Sequence, residues 1–444
     1  MKKNAIIFIL CTFLILSCLD NSSTTNPAET RSFYMGFTTW PYALAAAAVD
    51  DVFSKVKDSS YGDITALHYM NGVPWTTADT DLYHPEDLDT VYSAPIKNDI
   101  NERLIATAPS KVLYIAVDSI NSTRSGINKT FGGGDPGIPF NSANAEKAFV
   151  NYAVYLLYEV FTYYTANGYV LPEIYFNYGS EATDLIVKGF NSGDGTFDLT
   201  QWNNFVDFSG YIYGSLNNYS LPYPGAQVDD DVAFTAFMNS AKLMVSVALK
   251  SPEDATAGNI VSGTTLIDPS EKIRLLFADM LSYIDIVGVS TYGYIFYDSQ
   301  YGGTNPDTFR GDPSQLPADW LSQINSIAPG KPAAITETGW ISEDYDVLMN
   351  GTYVIQSNTD RQNAYMSKML ADADALNMEF VIMFTIADYF PLWNTFDAPT
   401  QLASLTWLTT GLFEVAPASG SGPFTLTPKP AWTTWQNWLV KSKN

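Results

Sequence analysis

Eight short apolar runs, at 33–38, 64–67, 112–117, 173–176, 242–248, 284–289, 332–336 and 380–384, constrain the fold of this chain more than any other feature. Segments of helical periodicity lie between them, as at 143–164, 313–327 and 359–376, the last with Tyr365, Met369 and Ala373 on one side and charged residues on the other. A strand, a helix and a further strand in the same sense form a parallel unit, and eight such units close into an α/β (β/α)8 TIM barrel. A doubly wound open sheet gives the same alternation, but no Gly-x-Gly-x-x-Gly follows the first run. The cluster Gly132-Gly133-Gly134 follows no clear strand and reads as a loop. The stretch 216–231 has weak periodicity and reads as an insertion between the fourth and fifth units.

The N-terminus carries a separate signal. Met1-Lys2-Lys3 followed by the apolar stretch 5–16 has the positive start and short hydrophobic run of a secretory signal, too short to span a bilayer. It ends in Ile15-Leu16-Ser17-Cys18, which resembles the bacterial lipobox, the alternative being an ordinary signal peptide with a chance cysteine. The expected organisation is a signal peptide over 1–17, a lipid-anchored polar tether over 18–30 with lipid on Cys18, and a single barrel domain with loop insertions over 31–444. The expected location is extracytoplasmic, at a bacterial membrane. Cys11 and Cys18 are the two cysteines, so the mature domain keeps none for a disulfide, a zinc site or thiol catalysis. The formal net charge of −24 opposes nucleic acid and anionic headgroups, leaving the anchor as the expected membrane contact of a monomer.

In a barrel of this kind the working residues sit at the C-terminal ends of the strands. Two strand ends carry a glutamate: Ile335-Thr336-Glu337-Thr338-Gly339-Trp340 at the seventh, and Phe176-Asn177-Tyr178-Gly179-Ser180-Glu181 at the fourth. Each alone could cap a helix or pair with a lysine. Together they can face one another across the barrel mouth, as retaining glycoside hydrolysis requires of two carboxyl groups about 5 to 5.5 Å apart. Glu181 and Glu337 are therefore the candidate catalytic pair. With two histidines in the chain, no metal site and no cofactor is expected. A serine triad is not expected either, since no Gly-x-Ser-x-Gly elbow is present.

These motifs resemble clan A of the glycoside hydrolases, and the segment 335–340 is similar to the nucleophile strand of the family 53 endo-β-1,4-galactanases. The resemblance extends to Ser290-Thr291-Tyr292-Gly293-Tyr294 after the sixth strand, to Gly411-Leu412 and to Lys429-Pro430-Ala431-Trp432. It implies Glu337 as nucleophile, Glu181 as acid and base, and Tyr292 as a hydrogen-bond partner of the nucleophile. The chain departs from the clan pattern at Ser180, where an asparagine usually precedes the acid/base, and at the end of the second strand, where His68 stands in place of an arginine.

Other candidates for contact with a carbohydrate substrate follow from position alone. Trp40, Trp75, Trp340 and Trp393 lie near strand ends, where an indole face can stack on a sugar ring or simply pack the core. Asp118 and Asp388 follow the third and eighth strands and suit hydroxyl recognition or helix capping. His68 faces the pocket or is a buried hydrogen-bonded histidine, and His84 reads as solvated. The function these features imply is a secreted retaining glycosidase acting on β-linked poly- or oligosaccharide. The alternatives are a surface carbohydrate-binding lipoprotein without activity, motivated by Ser180 and the missing arginine, and a structural or adhesion lipoprotein.

Overall fold

Eight parallel strands, β1 (Tyr34–Thr38), β2 (Ile64–Tyr69), β3 (Val112–Val117), β4 (Glu173–Gly179), β5 (Lys242–Ala248), β6 (Ile286–Thr291), β7 (Ala333–Thr338) and β8 (Phe380–Met383), pair in chain order, and β8 pairs back to β1. The chain is a closed (β/α)8 TIM barrel. The computed structural model describes residues 30–38, 54–69, 81–92, 94–117, 143–183, 185–186, 190–191, 196–220, 229–248, 261–262, 265–266, 269–296, 312–316, 318–346, 354–388, 408–416 and 425–444. Each expected apolar run forms one of these strands. β2, β4, β6 and β7 run two or three residues further than apolarity alone indicates, because backbone pairing continues into polar residues that face the mouth.

Side chains on a strand alternate, so every second residue of each strand points into the barrel. Ile64, Ala66, Val112, Tyr114, Ala116, Tyr175, Met244, Ile286, Ala334, Phe380 and Ile382 form this enclosed interior. Three large rings fill its centre, with Phe380 lying 5.2 Å from Tyr114 and 4.9 Å from Tyr175. The remaining interior positions include Ala66, Ala116, Ala334 and Gly288, where an added Cβ would lie 2.6 Å from Thr336 Cγ2 and 2.8 Å from Ser246 Cβ. The barrel is thus plugged below its mouth, as layered interiors of this fold are.

The outer layer includes α1 (Ala94–Thr107), α2 (Ala143–Ala166), α3 (Thr200–Asn217), α4 (Asp229–Ser240), α5 (Pro269–Phe277), α6 (Thr359–Ala375) and α7 (Pro430–Leu439). Asn358 begins α6 by accepting the Arg361 N–H at 2.9 Å. Asn377 ends it at φ 51°, with Met378 N–H returning to the Ala373 carbonyl and Asn377 N–H to that of Asp374, a Schellman closure. Tyr365, Met369 and Ala373 are fully buried between these caps, on the face their spacing indicates. The segment 313–327 is not one helix: a 3-10 turn, Pro313–Gln315, and a short helix, Ile324–Ile327, take its place. In the expected insertion, α3 runs through Asn217 and α4 starts at Asp229; residues 221–228 lie outside the described ones.

Candidate active site

The interior alternation that packs the barrel also builds the floor of its mouth. On β2 the inward series Ile64, Ala66 ends in His68; on β5 Met244 is followed by Ser246; on β6 Ile286 and Gly288 are followed by Ser290. On β4 Tyr175 is followed by Asn177. The apolar plug thus gives way to a ring of small polar side chains, all buried.

Both glutamate-bearing strands bulge just before their carboxylates. Between β6 and β7 the pairing passes from Val289 with Ile335 to Ser290 with Glu337, so Thr336 is an extra residue on β7. Ala334 and Thr336 face the interior, and strict alternation would turn Glu337 toward the helices. The bulge re-aims it into the mouth, as such irregularities do. Between β4 and β5 the pairing passes from Asn177 with Met244 to Gly179 with Val245. Gly179 is needed there, since a Cβ would sit 2.5 Å from the Phe205 ring of α3. The turn that follows is stapled to β5: Glu181 N–H donates to Ser246 Oγ at 2.9 Å and Ala182 N–H to the Ser246 carbonyl at 2.8 Å.

Glu337 is buried, with Oε2 accepting from Tyr292 Oη at 3.3 Å and Oε1 lying 3.4 Å from His68 Nδ1. The imidazole stands edge-on to Phe384, with ring centroids 6.2 Å apart, and Arg103 of α1 donates to the His68 carbonyl at 3.0 Å. Glu181, half-buried, accepts from Ser290 Oγ on Oε1 at 2.7 Å. Below them Asn177 Nδ2 donates to Tyr114 Oη at 2.8 Å, Ser246 Oγ at 3.2 Å and Ser180 Oγ at 3.4 Å. Burial, with the Glu337 charge adding to it, holds the Tyr114 phenol far above its ordinary range, so it remains a neutral hydrogen-bonding group. Among the described residues no cluster of three or more His, Cys, Asp or Glu is arranged to hold a metal ion.

The structure therefore brings Glu181, Glu337, His68, Ser180 and Tyr292 together. Three sequence expectations need correction. Trp340 is fully buried, stacked on Tyr365 at 4.6 Å and edge-on to Tyr294 at 5.6 Å, with Nε1 donating to Ser357 Oγ at 3.2 Å. Its indole supports the β7 end from within the core and offers no face to a sugar. Asp388 is also buried, 2.5 Å from Lys429 Nζ, which further donates to Ser342 Oγ and to the Thr409 and Gly411 carbonyls. Its carboxylate neutralises an internal lysine and does not face the mouth. His84 is more than solvated: Nδ1 accepts the Glu86 N–H at the start of the helix Pro85–Val91, and Nε2 lies 3.7 Å from Asp231. Trp40, Trp75, Asp118, Trp393 and Cys18 lie outside the described residues. The residues that sequence reading missed are Asn177, Ser246 and Ser290; the available signal was that each continues the inward phase of an apolar strand.

Glu181 has φ 53°, a left-handed conformation that costs a side-chain-bearing residue about 1–2 kcal/mol. Such strain persists where surrounding contacts over-determine it, and it concentrates at functional sites. Glu181→Gly is therefore expected to be more stable than Glu181→Ala by about 1 kcal/mol, since both lose the carboxylate and only glycine relieves the backbone. Urea unfolding of the two variants checks this; equal midpoints and slopes would mean that no strain is stored there.

No protein-family model matches the chain, and no curated protein matches it. Among solved structures, similarity extends to a β-1,3-glucanosyltransferase from Rhizomucor miehei, at 13% identity over 86% of this chain and 93% of that one, with a TM-score of 0.41. A β-glucosidase shares 12% identity over 88% of each chain, with a TM-score of 0.49. A Bacillus subtilis mannanase shares 12% identity over 89% of this chain and 91% of that one, with a TM-score of 0.40. These three proteins differ among themselves in activity, so the likeness does not select one.

Proposed function

We propose that this protein is a retaining β-glycosidase, with Glu337 as the nucleophile and Glu181 as the acid that then becomes the base. One observation carries the reading: the end of β6 supplies a hydroxyl to each carboxylate, Ser290 to Glu181 and Tyr292 to Glu337. Ser290 and Tyr292 stand two residues apart at one strand end, so the two carboxyl groups are held from a single point of the mouth, as suits a pair that must act on one bond. Tyr292 donates to one Glu337 oxygen and His68 lies beside the other, which suits a nucleophile that must not rotate away from an anomeric carbon.

The test is release of reducing ends from a panel of β-linked galactans, glucans, mannans and xylans by the wild type beside Glu337→Gln. Galactan leads the panel because of the motif 335–340. The expected outcome is activity on one member, lost by a factor of about 10⁴ or more in Glu337→Gln, since a nucleophile acting as part of a unit carries most of the rate. Carbohydrate affinity without product would favour a binding lipoprotein instead. The same proposal places the protein outside the cytoplasm, held by lipid on Cys18, on the strength of Met1-Lys2-Lys3, the apolar stretch 5–16 and the motif ending in Cys18. Cys18→Ser is expected to move the protein from the membrane fraction to the soluble one; an unchanged distribution would remove the lipid from the account.

A further inference from the structure

Among the described residues the Glu181 carboxyl has one hydrogen bond, on Oε1, from Ser290 Oγ at 2.7 Å. The backbone of the same glutamate is held independently by Ser246 on β5. One strand thus fixes where Glu181 stands, and the next fixes where its side chain points. Ser290 is itself confined: it is buried, and its backbone is paired on one side with Ala248 and on the other with Glu337. A half-exposed glutamate left to itself would populate several rotamers, and only some would aim an oxygen at a glycosidic bond.

Resting on the acid/base role of Glu181, we propose that Ser290 is a positioning residue that fixes the Glu181 rotamer by occupying Oε1 and so assigns the transferable proton to Oε2. In the first displacement a Glu337 oxygen bonds to the anomeric carbon as the bond from that carbon to the glycosidic oxygen breaks. The electron pair stays on the departing oxygen, which takes the proton from Oε2. In the second, Oε2 takes a proton from water while the water oxygen bonds to the anomeric carbon, and the electron pair of the breaking ester bond returns to Glu337. Ser290 donates to Oε1 in both steps and is not consumed. A hydroxyl suits this role because it carries no charge and is both donor and acceptor, so it tolerates either protonation state of its partner.

The experiment compares the wild type, Ser290→Ala and Glu181→Ala on two aryl glycosides of the sugar the panel identifies, one with a dinitrophenolate and one with a phenolate leaving group. A dinitrophenolate departs without a proton, so misplacing the acid does not slow its departure. In kcat/KM, which reports the first displacement alone, Ser290→Ala is expected to lose about 10- to 100-fold on the phenyl glycoside, the worth of a hydrogen bond to a charged group, and under about threefold on the other. Equal loss on both, or loss on neither, would overturn the role of Ser290, because a general disturbance of the site does not sort substrates by leaving group. A Glu181→Ala variant that also fails to separate the two substrates would overturn the acid/base role itself, so the two failures are told apart.

Discussion

Glu181→Ala is expected to lose about 10²- to 10⁴-fold on polysaccharide, the range that a positioned general acid and base contributes. The loss follows from the geometry of the mouth. Glu337 is enclosed by Tyr292, His68 and the β7 bulge, whereas Glu181 stands half-exposed on a turn that projects it over the site. A sugar oxygen leaving as an alkoxide needs a proton at the moment of bond cleavage, and the proposed role of Glu181 is to bring it. With a dinitrophenolate leaving group the first step should survive, and the glycosyl-enzyme should accumulate because no base activates water. Added azide, which needs no base, should then restore turnover. Steady-state rates on both substrate types with and without azide measure this, and a uniform loss that azide leaves unchanged would remove Glu181 from the acid/base role.

Lys429→Met is expected to destabilise the fold by about 3–5 kcal/mol at pH 8, where Asp388 is ionised beside its lysine, because it leaves that buried carboxyl without its counter-charge. Lys429 gathers the closing segment of the barrel. Its ammonium binds Asp388 after β8, Ser342 after β7 and the carbonyls of Thr409 and Gly411, while its backbone N–H donates to the Leu412 carbonyl. Gly411 passes so close to Ala387 that a Cβ there would lie 2.2 Å from its carbonyl carbon. Burial holds the Asp388 carboxyl up at about 7 despite the lysine, well above the value of 3.8 for a free side chain. A folded chain that keeps a proton the unfolded chain releases is most favoured below the unfolded value and loses that advantage as pH rises through the folded one. The cost of Lys429→Met should therefore be smaller at pH 5 than at pH 8, because at pH 5 Asp388 can be buried neutral. Adding Asp388→Leu should recover at least half of the loss by removing the stranded charge. Urea unfolding at the two pH values checks both statements; a pH-independent cost that Asp388→Leu does not relieve would show that packing, not charge, is what Lys429 contributes.

The barrel was legible because each strand had to be apolar enough to bury both faces, and those runs stand out between amphipathic helices. The two glutamates were legible because strand ends in this architecture converge on one mouth. The aim of Glu337 was not: alternation from Ala334 turns it outward, and only the bulge at Thr336 corrects that, a feature without a local sequence signature. Asp388 and Trp340 show the opposite failure. An aspartate or tryptophan just past a strand looks the same whether it meets substrate or an internal partner, and the partners that decided the matter, Lys429 and Tyr365, lie 41 and 25 residues further along the chain. Ser246 and Ser290 were hidden for a different reason, since a small hydroxyl in an apolar strand reads as tolerated polarity until the facing carboxylate is in view.

Whether Glu337 forms a covalent intermediate is decided by mass analysis of the wild-type protein after incubation with a 2-deoxy-2-fluoro glycoside carrying a good leaving group. Fluorine at C2 slows both displacements, and the leaving group restores the first, so a double-displacement enzyme is trapped as its ester. The expected result is a mass increase of one fluoroglycosyl group per chain, mapped to Glu337 and absent in Glu337→Gln. Undiminished hydrolysis of the natural substrate with no adduct, or an adduct on any other residue, would contradict it.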